Sequence, residues 1–159
     1  MTWNNRVMGA GMGAVGLGYE GLTIDEFCAR VVDLQMSTVV DVRLNALSRK
    51  RGFSKNGLRG ALAEVGVAYL HFPVLGNPRE NREGFALPGS RAGDAARAHY
   101  KASIATAVGT AAIAEIAELA AATVIGVMCF ESDQHECHRE LVIDQVDAML
   151  DDTLQLARR

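Results

Sequence analysis

Apolar and polar positions along this chain fall into two kinds of block. Residues 14–18, 38–43, 67–72 and 124–130 are short runs that are nearly all apolar, rich in valine and bounded by polar or glycine positions. Runs of this length suit strands, and nearly unbroken apolar character suits strands buried on both faces of a parallel sheet. Between them the apolar positions recur every three or four residues, the spacing of a helix with one buried face. Ile24, Phe27, Cys28, Val31, Val32 and Leu34 mark such a helix to about Gln35. Thr23 and Glu26 stand three apart at its start, as a capping box requires. Residues 55–65 predict a second helix, with Ser54 at its N-cap and Gly66 just past its end, where a left-handed residue is favoured. Residues 91–101 and the alanine-rich 106–122 predict two more. Leu141, Val142, Val146, Met149 and Leu150 share one face of a last helix reaching about Leu150, and residues 153–156 predict a short final strand.

The order of these elements alternates strand and helix. That argues for a single α/β domain over residues 14–159: three layers, a mainly parallel sheet and helices on both faces, joined by right-handed crossovers. Residues 1–13 predict a flexible, glycine-rich tail. Gly11-Met12-Gly13-Ala14-Val15-Gly16 has dinucleotide-fingerprint spacing, but that fingerprint must follow a strand and open a helix, and here it precedes the first strand. Residues 73–89 hold all three prolines and predict a long loop, a length usually tied to binding.

Composition changes this picture little. At 159 residues one core suffices, and a net charge of -3 excludes a globally basic nucleic-acid binder. The charge is uneven, however: residues 43–101 carry eleven Lys or Arg against four Asp or Glu, and residues 44–63 contain no acid. Three cysteines make no disulfide framework and point to a reducing, cytoplasmic setting. No apolar run reaches membrane-spanning length, so no membrane partner is expected.

The chemistry gathers after the fourth strand. Residues 129–139 hold two cysteines, two histidines, an arginine and three acids just before the last helix. If the strands are parallel, their carboxyl ends share one rim and bring four polar tips together: Tyr19 and Glu20, Asp41 and Arg43, His71, and Cys129 and Glu131. Asp41 and Arg43, two apart, point to the same face of their strand, either as a structural ion pair or as an anion site in which Arg43 binds the anion and Asp41 orients it or acts as acid or base. Cys137, His138 and Arg139 are expected in the first turn of the last helix, where free N–H groups favour an anion and lower a thiol pKa. Two chemistries follow: Arg43 and Arg139 hold a phosphate or carboxylate, or Cys129 or Cys137 is a nucleophile with a histidine as base. Asp41, His71, Cys129, Glu131 and Cys137 are therefore the catalytic candidates, and Tyr19, Glu20, Arg43, His138 and Arg139 the substrate-binding ones. Cys129, His135, Cys137 and His138 are four potential metal ligands, but C-x5-H-x-C-H is not a usual zinc pattern, so neither a metal nor another cofactor is expected.

Gly18-Tyr19-Glu20-Gly21, Val40-Asp41-Val42-Arg43, Tyr69-Leu70-His71-Phe72-Pro73-Val74-Leu75-Gly76, Cys129-Phe130-Glu131 and Cys137-His138-Arg139 occur in that order. Together they resemble the family catalogued as domain of unknown function 488, from about Val15 to Leu150. The resemblance implies a compact α/β domain whose shared polar residues are the ten candidates just named, with a hint of nucleic-acid repair among its members. Asn77 departs from the family's usual second glycine. The Val-Asp-Val-Arg run also resembles the start of rhodanese-like domains, whose active loop is absent here. The expected function is an enzyme, a hydrolase or transferase, acting on a phosphorylated, nucleotide or nucleic-acid substrate at this rim. The alternative is a non-catalytic module that binds a nucleotide or nucleic acid. The expected partner is thus an anionic small molecule or nucleic acid.

Overall fold

A computed structural model describes residues 11–158. Most of the expected tail lies outside the described residues, and Gly13 already belongs to the first strand, paired with Val124. The strands are β1 (Gly13–Gly18), β2 (Thr38–Asp41), β3 (Ala68–His71) and β4 (Val124–Cys129), and all four pair in parallel in the order β1-β4-β2-β3. The helices are α1 (Ile24–Asp33), α2 (Lys55–Glu64), α3 (Arg79–Phe85), α4 (Arg91–Ile104), α5 (Ala107–Ala122) and α6 (Arg139–Ala157). The chain is therefore an α/β domain with a parallel sheet between helices. Among the described residues, no single helix is long and apolar enough to cross a membrane.

The pleat divides the core in two. Ala14, Val40, Ile125, Val127 and Cys129 face α3, α4, α5 and α6, while Val15, Leu17, Val39, Tyr69, Val124 and Met128 face α1 and α2. Thr23 and Glu26 close the capping box of α1, and Gly66, at φ +74°, ends α2. Ser54 precedes α2 without capping it; its hydroxyl bonds to Ser48 instead.

Three local expectations are corrected. Residues 153–156 are not a strand: α6 runs through them, and Thr153 Oγ1 donates to the Met149 carbonyl one turn back. No glycine, proline or asparagine separates this segment from the helix, so nothing stops the helix from continuing. Residues 73–89 are not one loop. Pro73 opens a 3₁₀ turn (Pro73–Leu75) and Pro78 is the N-cap of α3, both places that do without an N–H. Phe85 anchors α3, buried edge-on against Tyr100 at 5.8 Å. Finally, α6 begins at Arg139, after an extended Cys137 and with His138 as N-cap.

The connections explain where a site can form. The chain leaves β1 for α1 on one face of the sheet, and leaves the adjacent β4 for α6 on the other. Two neighbouring strands that send their chains to opposite faces open a crevice beyond their carboxyl ends, where α/β sheets bind ligands.

Candidate functional site

That crevice is a cavity of about 200 Å³. Tyr19 borders it from the end of β1, Cys129 and Glu131 from the end of β4, and Arg43 from the segment after β2. The loop after β4 lies directly on β1, because Gly16 and Gly18 have no side chain. A Cβ on Gly18 would overlap the Glu131 carbonyl, and one on Gly16 would overlap the Gln134 side chain. Polar bonds fix the same loop. Glu20 N–H donates to the Phe130 carbonyl at 2.9 Å, and the Glu20 carboxylate accepts from Ser132 N–H at 2.9 Å. Arg139, 2% exposed, donates to the carbonyls of Glu131 at 2.6 Å and Ser132 at 3.3 Å.

Two thiols and an imidazole meet in this cavity. Cys129 Sγ lies 3.9 Å and Cys137 Sγ 3.8 Å from His138 Nδ1. All three side chains are buried, with their ligating atoms within 4.8 Å of one another. The other ring nitrogen, Nε2, lies 2.9 Å from the Val42 carbonyl. A carbonyl only accepts, so Nε2 carries the proton and Nδ1 turns its lone pair to the thiols. Tyr100 packs against the imidazole at 5.2 Å. Burial pushes the Cys137 thiol well above its usual range, and the neighbouring Cys129 adds to the rise, against a smaller opposite pull from His138. Arg139 N–H points at Cys137 Sγ, 3.5 Å away.

The helix-terminus anion site expected at 137–139 has lost its donors. Besides that Arg139 N–H, the amides of Glu140, Leu141 and Val142 bond to the Cys137 and His138 carbonyls. Arg139 itself holds the loop and does not border the cavity.

Asp41 and Arg43 form a closed buried network on the α1 and α2 side. Asp41 accepts from Arg43 N at 3.0 Å, Nε at 2.9 Å and Nη2 at 2.7 Å, and from Tyr69 OH at 2.6 Å. Arg43 Nη1 donates to Tyr19 OH and to the Phe53 carbonyl. Burial works against the guanidinium charge, but the bonds to Asp41 more than offset it and raise its pKa. In the same way, burial and then the Asp41 bond raise the Tyr69 pKa. His71, in register with Asp41, places Nε2 2.8 Å from the Arg43 carbonyl.

The structure thus brings six of the ten candidates to one cavity: Tyr19, Arg43, Cys129, Glu131, Cys137 and His138. Glu20, Asp41, His71 and Arg139 support its walls from behind. The fourth potential metal ligand, His135, points away: it is 65% exposed and pairs with Glu140. Four polar lining residues escaped sequence reasoning: Asn45, Asn77, Arg82 and Glu136. Only the density of turn formers at 73–89 hinted at Asn77 and Arg82. Arg82 donates through Nε to the Asn77 carbonyl, and its two terminal nitrogens have no partner among the described residues. Asn77, 1% exposed, accepts from Asn81 through Oδ1. Glu131 Oε2 is buried without a partner.

The model of the family described as Domain of unknown function DUF488 matches residues 23–146, and the chain belongs to that family. The match covers every candidate except Tyr19 and Glu20. No curated protein and no solved structure matches the chain.

Proposed function

We propose that this DUF488 member is an enzyme, a hydrolase or transferase, that draws the charged group of an anionic substrate into the rim cavity and acts on it with the Cys129–Cys137–His138 centre. One observation carries this reading: reactive groups and unused anion donors line the same small space. The donors are the terminal nitrogens of Arg82, the Asn77 amide nitrogen and the one N–H of Arg43 left after its four bonds. Glu131, with its unpartnered Oε2, serves as acid or base. The cavity is smaller than the ~300 Å³ at which pockets enclose whole small ligands. It suits a phosphate or carboxylate and its immediate carrier, with the rest of the substrate outside. Three free, buried thiols suit a reducing cytoplasm.

The test is turnover of phosphomonoester, phosphodiester and nucleotide probes by the whole chain, with Arg82→Gln and Glu131→Gln alongside. Turnover that falls about 100-fold in Glu131→Gln supports the reading, since acid–base catalysis contributes on this scale. A folded chain that neither binds nor turns over any of these probes sinks it.

A second reading rests on the segment after β2. Arg49, Arg51, Lys55 and Arg59 are exposed there, beside the cavity residues Asn45 and Leu47. In this reading the segment carries a nucleic-acid backbone, with or without catalysis. Affinity for single- or double-stranded nucleic acid should then fall steeply as salt rises, and salt-independent binding argues against it.

A further inference from the structure

We propose that Cys129, Cys137 and His138 bind one zinc ion, with a fourth coordination position open to the cavity. Four observations lead there. The first is geometric. Zinc–sulfur and zinc–nitrogen bonds of about 2.3 and 2.05 Å at tetrahedral angles place sulfur about 3.5 Å from nitrogen and the two sulfurs about 3.8 Å apart. The observed sulfur–nitrogen separations are 3.8 and 3.9 Å, and no pair of ligand atoms is more than 4.8 Å apart. Small side-chain rotations close the difference.

The second is the donor set itself. Two buried sulfurs, one at the end of β4 and one just before the N-cap of α6, converge with the ring nitrogen of that N-cap residue, His138. A divalent ion takes both sulfurs as thiolates and the nitrogen as the third ligand. The two thiol protons pass to solvent. The third observation is the support around the ligands. Nε2–H bonds to the Val42 carbonyl, an arrangement that fixes the tautomer and orientation of metal-binding histidines. The Arg139 amide points at Cys137 Sγ and steadies a thiolate there. The fourth is the open side. Glu131, with a buried unpartnered oxygen, and Glu136 line the same cavity, placed to take a proton from a water on the ion.

Two sulfurs and an imidazole favour zinc over magnesium or calcium, and three protein ligands with one open position is a catalytic rather than a structural pattern. The site's chemical use rests on the enzyme reading above; its occupancy does not. Sequence spacing hides the site because the nearest-looking ligand, His135, faces solvent while Cys129 comes from a strand eight residues away.

The test uses the reduced, chelator-treated whole chain. Cobalt(II) should bind one per chain with a thiolate charge-transfer band and the visible bands of tetrahedral geometry. Zinc should displace it one for one, with two protons released per ion. Cys129→Ser, Cys137→Ser and His138→Gln should each weaken zinc at least about 100-fold, whereas His135→Ala should change it less than about threefold. Should a variant fail to fold, the wild-type cobalt spectrum still decides. No stoichiometric uptake by the folded, reduced wild type overturns the proposal, as does a loss in His135→Ala equal to that in His138→Gln. Zinc uptake without binding or turnover of any anionic probe removes the enzyme reading and leaves the site. Turnover in a chain that takes up no metal does the reverse.

Discussion

Asp41 offers the sharpest test of which rim residues are scaffold. Asp41→Asn keeps the shape of the side chain but replaces one carboxylate oxygen with an amide donor. Whichever way the amide turns, it faces two groups that themselves donate: Arg43 Nη2 and Tyr69 OH on one side, or Arg43 N and Nε on the other. The guanidinium stays charged, 6% exposed, with its counter-ion gone. Breaking a buried pair by removing one partner costs about 3–5 kcal/mol. That is a large share of the ~5–15 kcal/mol that holds a domain folded. With a urea slope of ~2 kcal/mol per molar, the unfolding midpoint should fall by about 2 M. A fall of less than about 0.5 M would be the behaviour of an exposed pair, and the buried-network account would be wrong. Replacing both partners, as Asp41→Leu with Arg43→Met, should recover part of the loss. Cobalt uptake by folded Asp41→Asn should weaken about 10-fold, because the Asp41–Arg43 pair holds the segment whose Val42 carbonyl orients His138. Unchanged uptake in that variant would show that Val42 holds His138 without help from the pair.

Two further tests address the loop and the first helix. Gly18→Ala should cost about 1–3 kcal/mol, since its Cβ meets the backbone of Glu131. Gly16→Ala should cost less, because the nearest obstacle is the movable end of Gln134, and the reverse order in urea unfolding would contradict this packing. The Glu26 carboxylate accepts from the Thr23 amide and Glu26 N–H donates to the Thr23 hydroxyl. The bond from the Thr23 backbone, then its side chain, holds the Glu26 pKa below the usual glutamate value. A folded pKa below the unfolded one means the unfolded chain binds more protons in that window. The Glu26 contribution is therefore present above the ordinary glutamate range and is lost as pH falls through the folded pKa. Glu26→Gln, which removes the titrating group, should flatten that part of the stability–pH curve, and a curve of unchanged slope would count against the capping box.

Much of the fold could be read from periodicity because the strands are buried on both faces and the main helices carry clear apolar stripes. Helix α3 could not, for it has one buried aromatic, Phe85, and two prolines in its approach. The end of α6 could not either: Leu154 and Leu156 alternate like a strand yet are both exposed, so no burial pattern marked them. Residue type and position, at strand ends for Tyr19, Arg43, Cys129 and Glu131 and beside the start of the last helix for Cys137 and His138, were enough to pick out these six residues of the cavity wall. Arg82 and Asn77 were not legible, because they reach the cavity through α3 and the turn before it.

The remaining difference comes from the pleat. Four polar strand tips suggest one converging set, but a shared rim does not mean a shared face. Asp41 follows Val39 to the side of Tyr69, and its register partner His71 goes with it. Cys129 follows Ile125 and Val127 to the opposite side, where Val42 also points. The Val42 carbonyl nevertheless holds His138, and the Arg43 carbonyl holds His71. One short segment after β2 thus touches both histidines through consecutive carbonyls. The Asp41–Arg43 pair fixes that segment and, through it, the imidazole that faces the two thiols. This is why the Val-Asp-Val-Arg run reads like a catalytic motif although Asp41 does not line the cavity: its carboxylate sets the backbone that orients His138 toward the two thiols.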